Sequence, residues 1–369
     1  MKSRLLLSCL LAAAAQPASA GNVTLYGLLS QGVMYTNNAA GGSKLQTASG
    51  VQQGPRFGMK GSEDLGDGDR AIFNLEGGFS LNSGSMSQGG RLFGRAAFVG
   101  LANDRLGQLT FGRQADTMAQ SLAAYEAAVQ FATYGVPIGD NDNVFTTFRE
   151  NNAVQYKSPT LAGFQWLAGY AFANKTAGSS DNNDFNTALT YADGPFSAGI
   201  AYHVVNKPNS KSNADGAVSG DYGYTSPFVK SQAGAAVDQQ EMYGAGGSYT
   251  FGATKLSLMY THSQFDYLDH SRLGLSNYEV TVTNYITPSV LIGLGYIYTD
   301  GRYRRTGERP RWHQLDAGID WFLSKRTDVF LVGIAQKAAG DARFAQIYNN
   351  LPSSSGQQLS VSVGVRHKF

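Results

Sequence analysis

Cysteine is almost missing from this 369-residue chain; the one present, Cys9, lies within residues 1–20. Lys2 and Arg4, the apolar stretch Leu5 to Ala15 and Ala18-Ser19-Ala20 read as a secretory signal with an A-x-A cleavage site. Residues 1–20 are therefore expected to be removed, leaving 21–369 as the mature chain. No cysteine would remain, which excludes disulfides, thiolate metal sites and cysteine nucleophiles. A lipobox at Leu6-Leu7-Ser8-Cys9 leaves too short an apolar run before the cysteine to be preferred. Long apolar runs are missing too. After Ala20 nothing approaches the roughly eighteen consecutive apolar residues that a membrane-spanning helix needs. Charge of one sign is also missing. The formal net charge is +2, and the expected loss of Lys2 and Arg4 brings it to zero, so the basic surplus of a nucleic-acid binder is absent.

Catalytic patterns are lacking as well. None of His203, His262, His270, His313 and His367 has H-x-x-x-H or H-E-x-x-H spacing, and no G-x-S-x-G or Walker sequence occurs. Gly66-Asp67-Gly68-Asp69 lacks the further spaced acids of a calcium loop and reads as a turn. We therefore expect no enzyme, no cofactor and no metal centre.

What is abundant is glycine (45), tyrosine (20) and phenylalanine (20), with only 15% charged residues, a composition that favours β structure. Apolar and polar residues alternate with period two along most of the chain. At the end, Leu359, Val361, Val363, Val365, His367 and Phe369 oppose Ser360, Ser362, Gly364, Arg366 and Lys368. Similar alternation covers 53–63, 71–81 and 312–323. Sixteen strands are expected, starting near 22, 53, 70, 92, 108, 149, 164, 184, 196, 239, 255, 274, 290, 311, 328 and 358. Short turns such as 65–68, 103–107 and 324–327 alternate with longer connections near 36–52, 83–91, 115–148 and 207–238. Period two alone does not say which face meets water, and a soluble sandwich or propeller would put the apolar face inside. The leader, the missing cysteines, the loop asymmetry and the C-terminal Phe369 favour an all-β, closed transmembrane antiparallel barrel in the outer membrane.

Several stretches carry a family resemblance. Pro55 to Gly68 (PRFGMKGSEDLGDG), Phe73 to Phe79 (FNLEGGF), Gly107 to Gln114 (GQLTFGRQ), Asn152 to Pro159 (NAVQYKSP), Leu323 to Thr327 (LSKRT) and Val363 to Phe369 (VGVRHKF) resemble the general porins of Gram-negative outer membranes, in their beta-proteobacterial and neisserial branch. The resemblance implies a sixteen-stranded barrel, a homotrimer, and passive diffusion of small hydrophilic solutes and ions. Outer-membrane lipid is expected around such a barrel, and Arg302, Arg304, Arg305, Arg309 and Arg311, crowded in one external loop, suit attraction of anionic lipopolysaccharide or solutes, or equally a solvated loop balanced by Glu308. The resemblance also implies that the barrel-assembly machinery recognises Phe369.

So wide a barrel needs something to narrow it. Residues 115–148 are too long for an ordinary connection. Their first half, Thr117 to Ala128, holds strong helix formers. In the family this third external loop folds into the lumen. Its carboxylates are Asp116, Glu126, Asp140 and Asp142. The proline-glutamate-phenylalanine-glycine motif of enteric relatives is replaced here by Pro137-Ile138-Gly139, so Asp140 and Asp142 are the first candidates for an acidic edge, then Glu126; each fits a solvated loop tip as well. A basic wall is expected opposite, from Arg56, Lys60, Arg95, Arg113 and Arg149. Arg113 follows the family pattern but shares the parity of the outward Leu109 and Phe111. Arginines facing carboxylates would set a field across the pore, selecting by size and charge without tight binding. A solute-specific porin, a barrel receptor and a barrel enzyme remain open alternatives, and the preferred ion sign is not readable from the sequence.

Overall fold

The computed structural model describes residues 22–176, 180–224 and 226–369; the expected signal lies outside them. Seventeen strand segments follow in order: β1 (Asn22–Ala39), β2 (Gly42–Ser49), β3 (Arg56–Gly66), β4 (Asp69–Gly78), β5 (Ala96–Asn103), β6 (Gly107–Gln114), β7 (Glu150–Lys157), β8 (Phe164–Ala171) and β9 (Asp184–Asp193). Then come β10 (Phe196–Asn206), β11 (Val237–Phe251), β12 (Thr254–Tyr267), β13 (Arg272–Thr287), β14 (Val290–Tyr303), β15 (Pro310–Phe322), β16 (Thr327–Gly340) and β17 (Gln357–Lys368). Each pairs antiparallel with its neighbour, and β17 returns to β1 with Val363 opposite Val33, closing the sheet. Closure leaves no unpaired edge, which is the condition for a sheet in lipid.

Seventeen segments fill sixteen places in the wall. Gln31 to Ala39 of β1 pair with β2, while Asn22 to Leu28 pair with β3. Residues 50–55 step out between them, so β2 and β3 are one strand with a break. The sixteen expected strand starts all lie within four residues of observed ones. The expected long connection at 36–52 is corrected. Ala40 (φ 55°) and Gly41 (φ 99°) form a two-residue turn whose paired positive angles match the hairpin type that suits strand twist. Most of that stretch is wall.

The exposure pattern is inside-out. Leu359, Val361, Val363 and Val365 are 37–50% exposed, whereas Gln358, Ser360 and Ser362 are 1–5% exposed. In β1, Val33 and Tyr35 are exposed while Ser30 and Thr36 are buried. A water-soluble sandwich would reverse this, so the apolar face belongs against lipid. Near the short turns, ring pairs such as Phe164–Tyr191 (4.6 Å) and Tyr249–Phe251 (4.4 Å) fit an interfacial aromatic girdle. One expected result tests the orientation. Leu294 is 54% exposed on β14, and Leu294→Arg should lower unfolding stability in bilayers by about 2–4 kcal/mol. Urea titration would read it, and an unchanged midpoint would put that face in water.

Phe369 closes the seam of the barrel. Its amide donates to the Gly27 carbonyl, and its carbonyl oxygen accepts from the Gly27 amide, both at 3.0 Å. Its ring lies over Gly27 so closely that a Cβ there would stand 2.2 Å away.

Candidate functional site

Between β6 and β7 the chain runs through residues 115–149 without forming a strand. A short helix, α1 (Thr117–Leu122), opens the segment, and a second, α2 (Ala127–Gln130), follows a tight turn. Asp116 caps α1 by accepting from the Ala119 amide at 2.8 Å. The segment is tied to wall strands spread around the barrel. The Thr117 amide donates to Asn186 on β9 at 3.0 Å, and Gln240 on β11 donates to the Asn141 carbonyl at 2.8 Å. The Ala127 amide donates to Glu279 on β13 at 2.5 Å, and Gln314 on β15 donates to the Val136 carbonyl at 3.2 Å. Thr133 donates to the Gln52 carbonyl in the break between β2 and β3. These wall partners are buried and lie on the polar parity.

Apolar packing reinforces the ties. Phe131 and Tyr134 share a cluster with Met34, Phe330 and Val332; Met118 and Leu122 share another with Leu167 and Met242. The wall makes room with glycine. A Cβ at Gly293 or Gly318 would stand 2.3 or 2.6 Å from the Phe131 ring, and one at Gly246 would stand 2.5 Å from Tyr125. Glycines in strands often mark such close approach.

The basic residues divide into two groups. Arg56, Arg95 and Arg149 come together along one cavity of about 850 Å³, which Tyr134, Thr146 and Thr147 of the 115–149 segment also line. A second cavity of about 330 Å³ shares Arg95, Arg149 and Thr146 and adds Lys157. Arg95 pairs with Glu76 at 2.5 Å, and Arg149 donates to Thr146 at 3.1 Å. Lys60 and Arg113 line neither cavity. Lys60 holds its ammonium 5.4 Å from the Tyr26 ring centre. Arg113 is buried, donating to the Gly94 carbonyl at 2.8 Å, to Asn151 at 2.5 Å and to Asp221. A register shift between Gly112 and Gln114, with Gly112 at φ 132°, turns its side chain inward despite its outward parity.

The four carboxylates do not form the expected acidic edge. None of Asp116, Glu126, Asp140 and Asp142 lines the arginine cavity; all are nearly or fully buried. Asp140 accepts from the Phe145 and Thr147 amides at 3.2 and 3.0 Å and from the Thr147 hydroxyl at 2.6 Å. Asp142 accepts from Thr261 and Asn277, and Asp116 from Asn143 at 2.9 Å. Amides of the segment and polar groups of the wall draw them away from the cavity. Burial pushes all four above the ordinary carboxylate range; Asp140, with Asp142 beside it, reaches about 7, and Glu126 is raised well above its ordinary value by burial and by Glu279, Asp140 and Asp142 around it. The charged residues lining the larger cavity are thus Lys44, Arg56, Arg95 and Arg149 against Asp221. Asp221 is itself held by Arg91 at 3.0 Å and by Arg113. Sequence reasoning missed Lys44, Arg91 and Asp221.

A closed antiparallel barrel with an apolar skin and an arginine-lined interior suits passage of solutes across an outer membrane. The family model described as "Gram-negative porin" matches residues 7–341. The chain belongs to the Gram-negative porin family. An outer membrane porin of Bordetella pertussis is 30% identical over 426 aligned positions, covering 100% of both chains. The anion-selective porin from Comamonas acidovorans has a similar structure, with a TM-score of 0.76 at 25% identity, covering 95% of this chain and 100% of that one. OmpT of Vibrio cholerae, solved in a trimer form, superposes with a TM-score of 0.69 at 15% identity over 95% of this chain and all of that one. This porin is therefore an integral outer-membrane barrel whose family and fold point to a channel.

Proposed function

We propose that this porin is a homotrimeric general diffusion channel that prefers anions, with segment 115–149 lying in the lumen as its constriction. The observation that carries the reading is the clustering of Arg56, Arg95 and Arg149, with Lys44, along one cavity whose only acidic lining residue among the described ones is Asp221. Small hydrated anions are concentrated there by the net positive potential, while cations are depleted. The wide, water-accessible lining favours sieving over tight binding. The anion-selective relative and the trimeric one support the same reading. Lipid and lipopolysaccharide surround the barrel, and Phe369 serves as the signal read by the assembly machinery.

The test is planar-bilayer recording of refolded mature protein under a KCl gradient. Conductance steps grouped in threes, with a reversal potential of the sign set by chloride, are expected. A potassium-set reversal would overturn the anion preference. Silence from a barrel whose gel migration shifts on heating would overturn the diffusion channel.

A further inference from the structure

Three acidic residues of segment 115–149 converge, and none of the three lines the arginine cavity. Glu126, Asp140 and Asp142 each offer an oxygen, and these atoms lie within 4.8 Å of one another. The three side chains are 0%, 4% and 0% exposed. Neither carboxylate oxygen of Glu126 has a hydrogen-bond partner, nor has Oε2 of the adjacent Glu279. Among the described residues, none of these four carboxylates, nor nearby Asp316, forms an ion pair with a basic side chain. Buried carboxylates in this number are not tolerated as bare charges. Asp140 and Asp142 have donors, but the two oxygens of Glu126 face the other acids with nothing to receive.

We propose that Glu126, Asp140 and Asp142 bind one calcium-type cation, which fastens the constriction segment to the wall. The donor set is all oxygen, and the Thr261 hydroxyl and Asn277 amide that hold Asp142 are its second layer. Hard oxygen donors select calcium or magnesium over the transition metals. Burial favours calcium, because magnesium sheds water reluctantly and usually keeps several water ligands. Glu126 stands at the start of α2 and Asp142 beyond the Pro137-Ile138-Gly139 turn, so one ion cross-links both halves of the segment. Thr261 and Asn277 then connect that link to β12 and β13. The role as a fastener rests on the constriction reading; the ion site does not.

The experiment is an ion count that needs no current. Mature protein is refolded in detergent free of lipopolysaccharide, stripped with chelator, dialysed against calcium up to about 1 mM, the weak end of protein calcium sites, and assayed by elemental analysis. Wild type should retain one calcium per chain. Glu126→Gln and Asp142→Asn should each weaken binding at least tenfold, whereas Asp193→Asn, in an exposed short turn, should not. Heat-shifted gel migration checks that the variants fold; should they fail, the wild-type count decides alone. Less than one calcium per wild-type chain, or undiminished binding by folded Glu126→Gln, would overturn the site and leave shared protons as what neutralises the cluster. Either result leaves the channel reading standing.

Discussion

Replacing Arg95 by glutamine is expected to lower the anion-to-cation permeability ratio about tenfold at low salt, with Arg56→Gln and Arg149→Gln close behind. At about 6 Å in water a fixed unit charge shifts a passing ion by about 0.7 kcal/mol. That is a factor of about three for the anion and about three in the opposite sense for the cation. Arg95 should lead because its guanidinium also holds the Glu76 carboxylate at 2.5 Å. Glutamine there removes a positive charge and leaves a negative one behind. Arg149 is held by the Thr146 hydroxyl at 3.1 Å, so its loss unmasks no acid of its own. Salt supplies a second check. The screening length falls from about 30 Å at 0.01 M to about 3 Å at 1 M, so the differences between variants should shrink steeply over that range. Lys60→Gln is the contrast, because Lys60 lines neither cavity and sits against Tyr26. Reversal potentials measured across a KCl gradient decide it. A Lys60→Gln shift as large as that of Arg149→Gln would mean that total wall charge, and not this cavity, sets the selectivity.

The wall was legible because its rule is local. Period-two alternation and turn chemistry act over a few residues, and they located strands such as β8, β9, β10 and β14 at their observed starting positions. The same locality explains the misses. Gly42–Ser49 looked like a connection because its alternation is weak and the break at 50–55 hides that β2 and β3 continue one wall strand. Arg113 had outward parity by counting, and only the bulge at Gly112 turns it inward; no single residue announces a bulge. Arg56, Arg95 and Arg149 were nameable from parity and resemblance, but their meeting along one cavity depends on strand order. The acidic residues of the segment were named from the sequence, but not the neighbours the structure gives them. A charged loop reads as a solvated or pore-facing one, yet here the amides of Phe145 and Thr147 and the polar side chains of β12 and β13 draw the carboxylates to the wall. Asp221 lay beyond reach because its partner Arg113 stands 108 positions away and no local pattern links them.

Phe131→Ala should free segment 115–149, which we propose as the constriction, while leaving the barrel intact, and this is the other large effect expected. The ring is 2% exposed and fills the space that Gly293 on β14 and Gly318 on β15 leave open. Truncating a buried phenylalanine to alanine costs about 3–5 kcal/mol. The loss should fall on the segment, because the wall keeps its own ladder; β14 and β15 pair from Val290–Trp321 through Asp300–Arg311 without needing the ring. A cost of that size changes the ratio of seated to unseated segment by about a hundredfold or more. Single-channel records should then show larger and noisier conductance, with unchanged heat-shifted migration. Gly318→Val should act alike from the other side, since its Cβ would already meet the ring at 2.6 Å. The two changes make opposite steric errors, one a void and the other a clash. Combined, the valine occupies part of the space the ring vacated, so the double variant should be quieter than either single one. That compensation separates a steric lock from general loosening of the barrel. Additive noise in the double variant, or a wild-type trace from Phe131→Ala, would mean that the hydrogen bonds to Glu279, Gln240 and Gln314 hold the segment without the ring.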